Sequence, residues 1–163
     1  PIAQGTGAVT KSETMQTIRD IVKSDPSAIW LTVDLGYPGT NIPAMAGADC
    51  FNTTQTYPQK ERWTMLDESG EYEDFYNRYC HIGATLGSET SFELLNTDYV
   101  NVTLSPEKFK ELKIKYVVSR NSIDEKIVSG TVFGENQSSL PNGGIEFKKC
   151  YSGVELSIYE CIY

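Results

Sequence analysis

YVNVTLSPEKFKELKIKYVVS, residues 99–119, is the stretch on which the fold is decided. Tyr99, Val100, Val102 and Leu104 read as a strand, Ser105-Pro106-Glu107 opens a short helix ending near Leu112, and residues 114–118 (IKYVV) read as a second strand. Ser105 supplies a side-chain oxygen for an orphan helix amide, and Pro106 stands at the first helical position, where no N–H is needed and φ is already set. Strand, helix and strand in such close order predict a compact right-handed crossover between two parallel strands.

Working outward, the N-terminal side starts with a helix over residues 11–24, with Met15, Ile18 and Val22 at helical spacing, Ser12 as a cap and Asp25-Pro26 as a stop. Residues 28–33 (AIWLTV) form a buried strand and 34–40 (DLGYPGT) a loop, while 42–51 is interrupted by Pro43 and Gly47 and has no clear element. Pro58 opens a helix reaching Leu66, with Trp63 and Leu66 inward. Residues 71–81 predict a third helix, because Tyr72, Phe75, Tyr76 and Tyr79 fall at i, i+3, i+4 and i+7. On the C-terminal side, 127–133 reads as a strand and 134–144 as a long loop. A closing hairpin pairs 145–151 with 154–162 about Ser152-Gly153. The expectation is one α/β domain: a mixed sheet with a parallel βαβ crossover and a C-terminal antiparallel hairpin, flanked by helices.

Composition limits the partners. A chain of 163 residues fits one domain. Its 39% apolar and 22% charged content is that of a folded globular chain. Fourteen Lys+Arg against 22 Asp+Glu give a net charge of −8, which repels nucleic acid and anionic lipid. No apolar run reaches the roughly 18–20 residues that cross a bilayer. The start on Pro1, without a Met, reads as a piece cut from a longer chain. The aromatic, Asn- and Thr-rich composition suits an extracytoplasmic setting, and glycosylation triplets begin at Asn52, Asn101 and Asn136.

Cys50, Cys80, Cys150 and Cys161 lack the close pairs of a zinc site, leaving two disulfides or four free thiols open. In the expected hairpin Cys150 faces Glu155, six residues short of Cys161. At about 3.3 Å per residue that is roughly 20 Å, against the 4.4–6.8 Å that a disulfide tolerates. That register excludes Cys150–Cys161 and favours free thiols.

Little in the chain promises catalysis. His81 is the only histidine, so no histidine cluster can hold a metal; at a helix end it is a dipole partner, a packed residue or a ligand contact. Asp67, Glu68, Glu71, Glu73 and Asp74 miss the calcium-loop spacing and read as a solvated helix face. Gly36, Gly39 and the 83–87 stretch are loop glycines without a phosphate-binding pattern. Cys80 and His81 are adjacent, and neighbours on a helix diverge by about 100° and do not meet. No catalytic residue, metal or cofactor is assigned. The better lead is aromatic: Tyr37, Tyr57, Trp63 and Tyr76, with Asn41, Gln59, Asn77 and Arg78, either pack the core or recognise a sugar through ring faces and amide or guanidinium donors. The candidate ligand-binding set is Tyr37, Asn41, Trp63, Tyr76, Arg78 and His81.

Three segments also carry a resemblance. They are NIPAMAGADCFNTTQTYPQKERWTMLDESGEYEDFYNRYCH at 41–81, FKELKIKYVVSR at 109–120 and SIYECIY at 157–163. Together they resemble soluble extracytoplasmic domains of GT-C-type glycosyltransferases and the related YfhO-like multi-span bacterial membrane proteins. The resemblance implies a non-catalytic domain contacting an acceptor glycan beside the membrane-spanning part of its own parent chain, whose acidic catalytic residues lie elsewhere. The alternative is a stand-alone cell-surface module that binds glycan or protein.

Overall fold

The structure is a computed structural model that describes residues 12–120, 122–135 and 140–163. Its first helix, α1 (Glu13–Ser24), starts where Ser12 Oγ accepts the Met15 amide at 3.2 Å and seats Met15 and Ile18 in the core. Lys11, the expected first residue of that helix, lies outside the described residues. The chain continues through β1 (Ile29–Val33), a 3-10 turn (Gly39–Asn41), α2 (Ile42–Met45), β2 (Asp49–Cys50), α3 (Lys60–Leu66) and α4 (Glu73–Tyr76). Then come β3 (His81–Leu86), β4 (Ser91–Asn96), β5 (Tyr99–Leu104), α5 (Pro106–Glu111) and β6 (Ile114–Ser119). The last elements are α6 (Ile123–Ser129), a 3-10 turn (Pro141–Gly144), β7 (Glu146–Ser152) and β8 (Ser157–Ile162).

The fold class is the mixed α/β arrangement expected. One sheet has the order β2-β1-β6-β8-β7, with β1 parallel to β2 and β6 and the β7–β8 hairpin antiparallel beside them. A second sheet, β3-β5-β4, pairs β3 parallel and β4 antiparallel with β5. Alternate residues of β1 serve opposite sides. Trp30 stacks on Tyr116 at 4.7 Å within the core facing α1, while Leu31 and Val33 join the core shared with the second sheet.

The crossover that decides the class is placed differently from the expectation. The 99–119 segment does fold as β5, α5 and β6, and the Ser105 cap and Pro106 start are present. Its two strands are not neighbours, however: β5 belongs to the second sheet and β6 to the first, so α5 joins two layers. The parallel crossover lies instead among β2, β1 and β6. The reason is in the burial pattern. Val100, Val102 and Leu104 are buried while Tyr99, Asn101 and Thr103 between them are not, the alternation of a sheet packed on one face; β6 is buried almost continuously.

Five further expectations are corrected. Helix 71–81 is a single turn, α4, after which the chain becomes β3. Pairing with β5 satisfies its backbone and buries Ile82 and Ala84, which outweighs the aromatic stripe. The turn is pinned by Asp67, which is buried rather than solvated and accepts the amides of Glu71 (3.1 Å) and Tyr72 (2.9 Å) and the Tyr76 hydroxyl (3.2 Å). Residues 83–86 are therefore strand, not loop, with Gly87 just past its end; a Cβ at Gly83 would meet Tyr99 Oη at 2.6 Å. Residues 127–133 are no strand, because Ile123 and Ile127 share one face of α6, which Gly130 ends at φ 70°. In the hairpin Ser152 faces Ser157 and Phe147 faces Cys161, with a bulge between Lys149 and Tyr151. Cys150 is then three residues, about 10 Å, from the Cys161 position, still beyond a disulfide's reach. All four thiols are free.

The glycosylation triplets fare poorly. Asn52 is buried with its amide committed to Thr32, Asn101 donates to Thr85 Oγ1 at 3.3 Å within β5, and Asn136 lies outside the described residues.

One carboxylate ties α6 to the hairpin. Asp124 accepts from Lys149 Nζ at 2.5 Å and from the Tyr159 hydroxyl. Burial pushes its carboxyl up, but Lys149 and Tyr159 outweigh that and hold it below the usual range. A carboxyl depressed in the folded state stabilises fully above its unfolded value of about 3.9 and loses that contribution as pH falls through the folded value. The gap in urea midpoint between wild type and Asp124→Asn, present at neutral pH, should close as the pH drops below about 4. A gap independent of pH would mean that the charge contributes nothing.

Candidate functional site

The loop that leaves β1 and the start of β3 meet at one surface. The loop turns through a cis Tyr37–Pro38 peptide and closes with Gly39 N donating to Gly36 O at 2.7 Å and Asn41 N to Pro38 O at 3.1 Å. Tyr37, 55% exposed, lies over the His81 ring at 4.0 Å between centroids and 35° between planes. Tyr79, 53% exposed, meets the same imidazole edge-on at 5.5 Å. Asn41 and Thr54 lie behind the imidazole. Asn41 Oδ1 accepts the Thr54 amide and the Thr53 hydroxyl, both at 2.8 Å, while Asn41 Nδ2 donates to Thr54 Oγ1 at 3.0 Å. Thr54 Oγ1 is 2.8 Å from His81 Nδ1.

Thr53 and Thr54 also line an adjoining hollow of about 220 Å³, shared with Gln55, Thr56, Tyr57, Gln59 and Arg62. Its lining is hydroxyl, amide and ring, and its one cation is engaged: Arg62 Nη1 reaches Asp49 Oδ1 at 2.9 Å, and Nη2 reaches the other carboxylate oxygen. Such a surface offers uncharged hydrogen-bonding groups and exposed ring faces.

The family described as a domain of unknown function, DUF7654, matches residues 8–139, most of the chain. The chain belongs to the DUF7654 family. No curated protein and no solved structure matches it. The matched DUF7654 region holds Tyr37, Asn41, Thr53, Thr54, Tyr79 and His81, and the β7–β8 hairpin lies beyond it.

In this DUF7654 domain the six residues singled out by sequence separate into two places and a remainder. Tyr37, Asn41 and His81 come together as described. Trp63 and Tyr76 do not join them: they are 2% and 7% exposed and stack at 4.3 Å with planes 2° apart, so they are packing residues, with Trp63 also forming part of the wall of the hollow. Gln55 holds that pair, accepting from Trp63 Nε1 at 3.1 Å and donating to Tyr76 O at 2.6 Å. Arg78 is exposed and its guanidinium turns back to the Asp74 carbonyl. Asn77 is bonded to Glu73, and Gln59 and the 83%-exposed Tyr57 line the hollow. Sequence reasoning left out Thr53, Thr54 and Tyr79 as members. The first two stood only in a glycosylation triplet, and Tyr79 only in the supposed helical stripe. Cys80 and His81 lie one residue apart on extended chain, with Cys80 buried and the imidazole at the surface cluster.

Among the described residues no group of three or more His, Cys, Asp or Glu could hold a metal ion, and no helix is long and apolar enough to cross a membrane. A cleft of about 690 Å³ around Ser88, Thr90 and Ser105 includes Lys108, which is bonded to Glu68 at 2.8 Å and Glu111 at 2.9 Å.

Proposed function

We propose that this DUF7654 domain is a non-catalytic extracytoplasmic domain of a membrane-embedded, glycosyltransferase-like protein, and that it contacts an acceptor glycan at the Tyr37–His81–Tyr79 surface. The observation that carries the glycan reading is a pair of half-exposed tyrosine rings flanking an imidazole, with amide and hydroxyl groups behind it. A pyranose has an apolar C–H face that packs on a ring and a rim of hydroxyls that pair with Asn, Gln and Thr side chains. The membrane setting is supported by the resemblance of residues 41–81, 109–120 and 157–163. On this reading the reactive groups of the parent protein lie outside these residues, and the isolated domain turns over no sugar donor.

Titration of the 15N-labelled domain with a panel of neutral oligosaccharides tests it. The amides of 37–41, 53–57 and 79–82 should shift together. Tyr37→Ala and Tyr79→Ala should each weaken binding about three- to tenfold, the value of one ring contact, without moving the unfolding midpoint. Shifts confined to another face, or unchanged affinity in both variants, would remove the site from this surface.

A further inference from the structure

We infer that His81 is held as the tautomer with its proton on Nε2, and that this N–H is the donor with which the surface engages an acceptor oxygen of a neutral sugar; the ligand half of this inference rests on the glycan reading above. The proton placement follows from a chain of hydrogen bonds whose direction is set at one end by the backbone. The Thr54 amide can only donate, so the Asn41 atom 2.8 Å from it is the carbonyl oxygen. The Thr53 hydroxyl donates to that same oxygen. Asn41 Nδ2 is then the atom facing Thr54 Oγ1 at 3.0 Å, and it can only donate. Thr54 Oγ1 has one hydrogen and a second lone pair after accepting that bond; among the described residues His81 Nδ1 at 2.8 Å is the group in reach of that hydrogen, so we assign the hydroxyl as the donor. A bare Nδ1 in a neutral imidazole leaves the proton on Nε2. Nε2 has no bond to a protein group among the described residues.

The polarity fixes what the site accepts. An Nε2–H donor beside the Tyr37 face calls for a hydroxyl or amide carbonyl oxygen on a ring-shaped ligand. Charge narrows the class further. Arg62, the cation of the adjoining hollow, is already held by Asp49, and the chain carries a net −8, so an acidic sugar finds repulsion where a neutral one finds donors. An N-acetylated neutral oligosaccharide, which carries both carbonyl and hydroxyl oxygens, fits this chemistry.

Two arms test the inference on the whole 163-residue chain. Without ligand, long-range 1H–15N spectra of the imidazole should show an unprotonated Nδ1 and a protonated Nε2. Thr54→Ser should keep that pattern, and Thr54→Val, which removes the donor, should mix the tautomers. A proton on Nδ1 in the wild type, or a pattern unmoved by Thr54→Val, would overturn the proton placement. In the second arm the probes are tri-N-acetylchitotriose and trigalacturonate. The neutral trisaccharide should bind at least about tenfold more tightly than the anionic one, which the −8 chain repels. His81→Gln, whose amide reaches the Nε2 position, should retain binding, whereas His81→Asn, which supplies only the Thr54-facing position, should lose it about tenfold. Equal affinity for both probes, or a His81→Asn variant that binds as wild type, would overturn the donor role. A correct tautomer with neither probe bound would sink the glycan reading and the ligand half together while leaving the proton placement standing.

Discussion

Replacing Asn52 by alanine should lower the unfolding free energy by about 3–5 kcal/mol, although Asn52 is outside every regular element. The size of the effect comes from how short β2 is. Its two residues pair Asp49 with Ile29 and Cys50 with Trp30, and Phe51 N then donates to Trp30 O at 2.8 Å. Beyond that point the chain leaves β1, and the Asn52 side chain takes over the ladder. Its Oδ1 accepts the Thr32 amide at 2.8 Å, and its Nδ2 donates to Thr32 O at 2.7 Å and Thr32 Oγ1 at 2.8 Å. Both residues are completely buried. Alanine would leave a buried amide and a buried carbonyl of a central strand without partners, roughly 1–3 kcal/mol each, and open a small cavity besides. Asn52→Asp should be worse still, because a carboxylate would face the Thr32 carbonyl where an amide donated. Urea denaturation followed by tryptophan fluorescence reads the effect. An Asn52→Ala protein within about 1 kcal/mol of wild type, the worth of a single net hydrogen bond, would show that water replaces the amide.

That role was invisible in the sequence, and the reason is general to this chain. What could be read came from local chemistry: Ser12 and Ser105 as caps, Pro106 at a helix start, Trp63 and Leu66 on the inner face of α3. What was misread depends on which strand lies beside which. The alternation from Tyr99 to Leu104 marks a strand buried on one face and sets β5 apart from β6, which is buried almost continuously. The stripe from Tyr72 to Tyr79 fits a helix period as well as it fits one turn running into a strand, and only the β5 partner distinguishes them. The hairpin register differs because residues 153–156 connect the strands in place of a turn at Ser152-Gly153, and the bulge at Cys150 changes it by one residue more, a feature without a residue signature. The site divides along the same line. Tyr37 and Asn41 stand in a Gly/Pro loop, which is legible as surface. Thr54 enters through its bond to His81, 27 positions away, and no spacing announces that.

Trp63→Ala should cost about 3–5 kcal/mol of stability and leave glycan affinity, per folded molecule, unchanged. The ring fills the space between α3 and the second sheet. It stacks flat on Tyr76, tilts against Phe51 at 5.6 Å and approaches Phe92 of β4 at 6.3 Å. Removing it deletes three ring contacts and strands Gln55 Oε1, whose amide group also supports Tyr76 O and Cys80 Sγ. The loss therefore combines a cavity with an unsatisfied polar atom. Trp63→Phe restores much of the ring area but not the N–H, so its deficit should fall to about 1–3 kcal/mol, the share of the hydrogen bond and the residual void. Tyr37→Ala makes the opposite case: its ring is more than half exposed, so stability should hold while binding falls. The two substitutions thus separate packing from recognition in one chain, with urea midpoint as one axis and affinity as the other. If Trp63→Ala proved as stable as wild type and bound oligosaccharide more weakly, the ring would belong to the ligand surface, and the division between a buried Trp63–Tyr76 stack and an exposed Tyr37–His81–Tyr79 platform would be wrong.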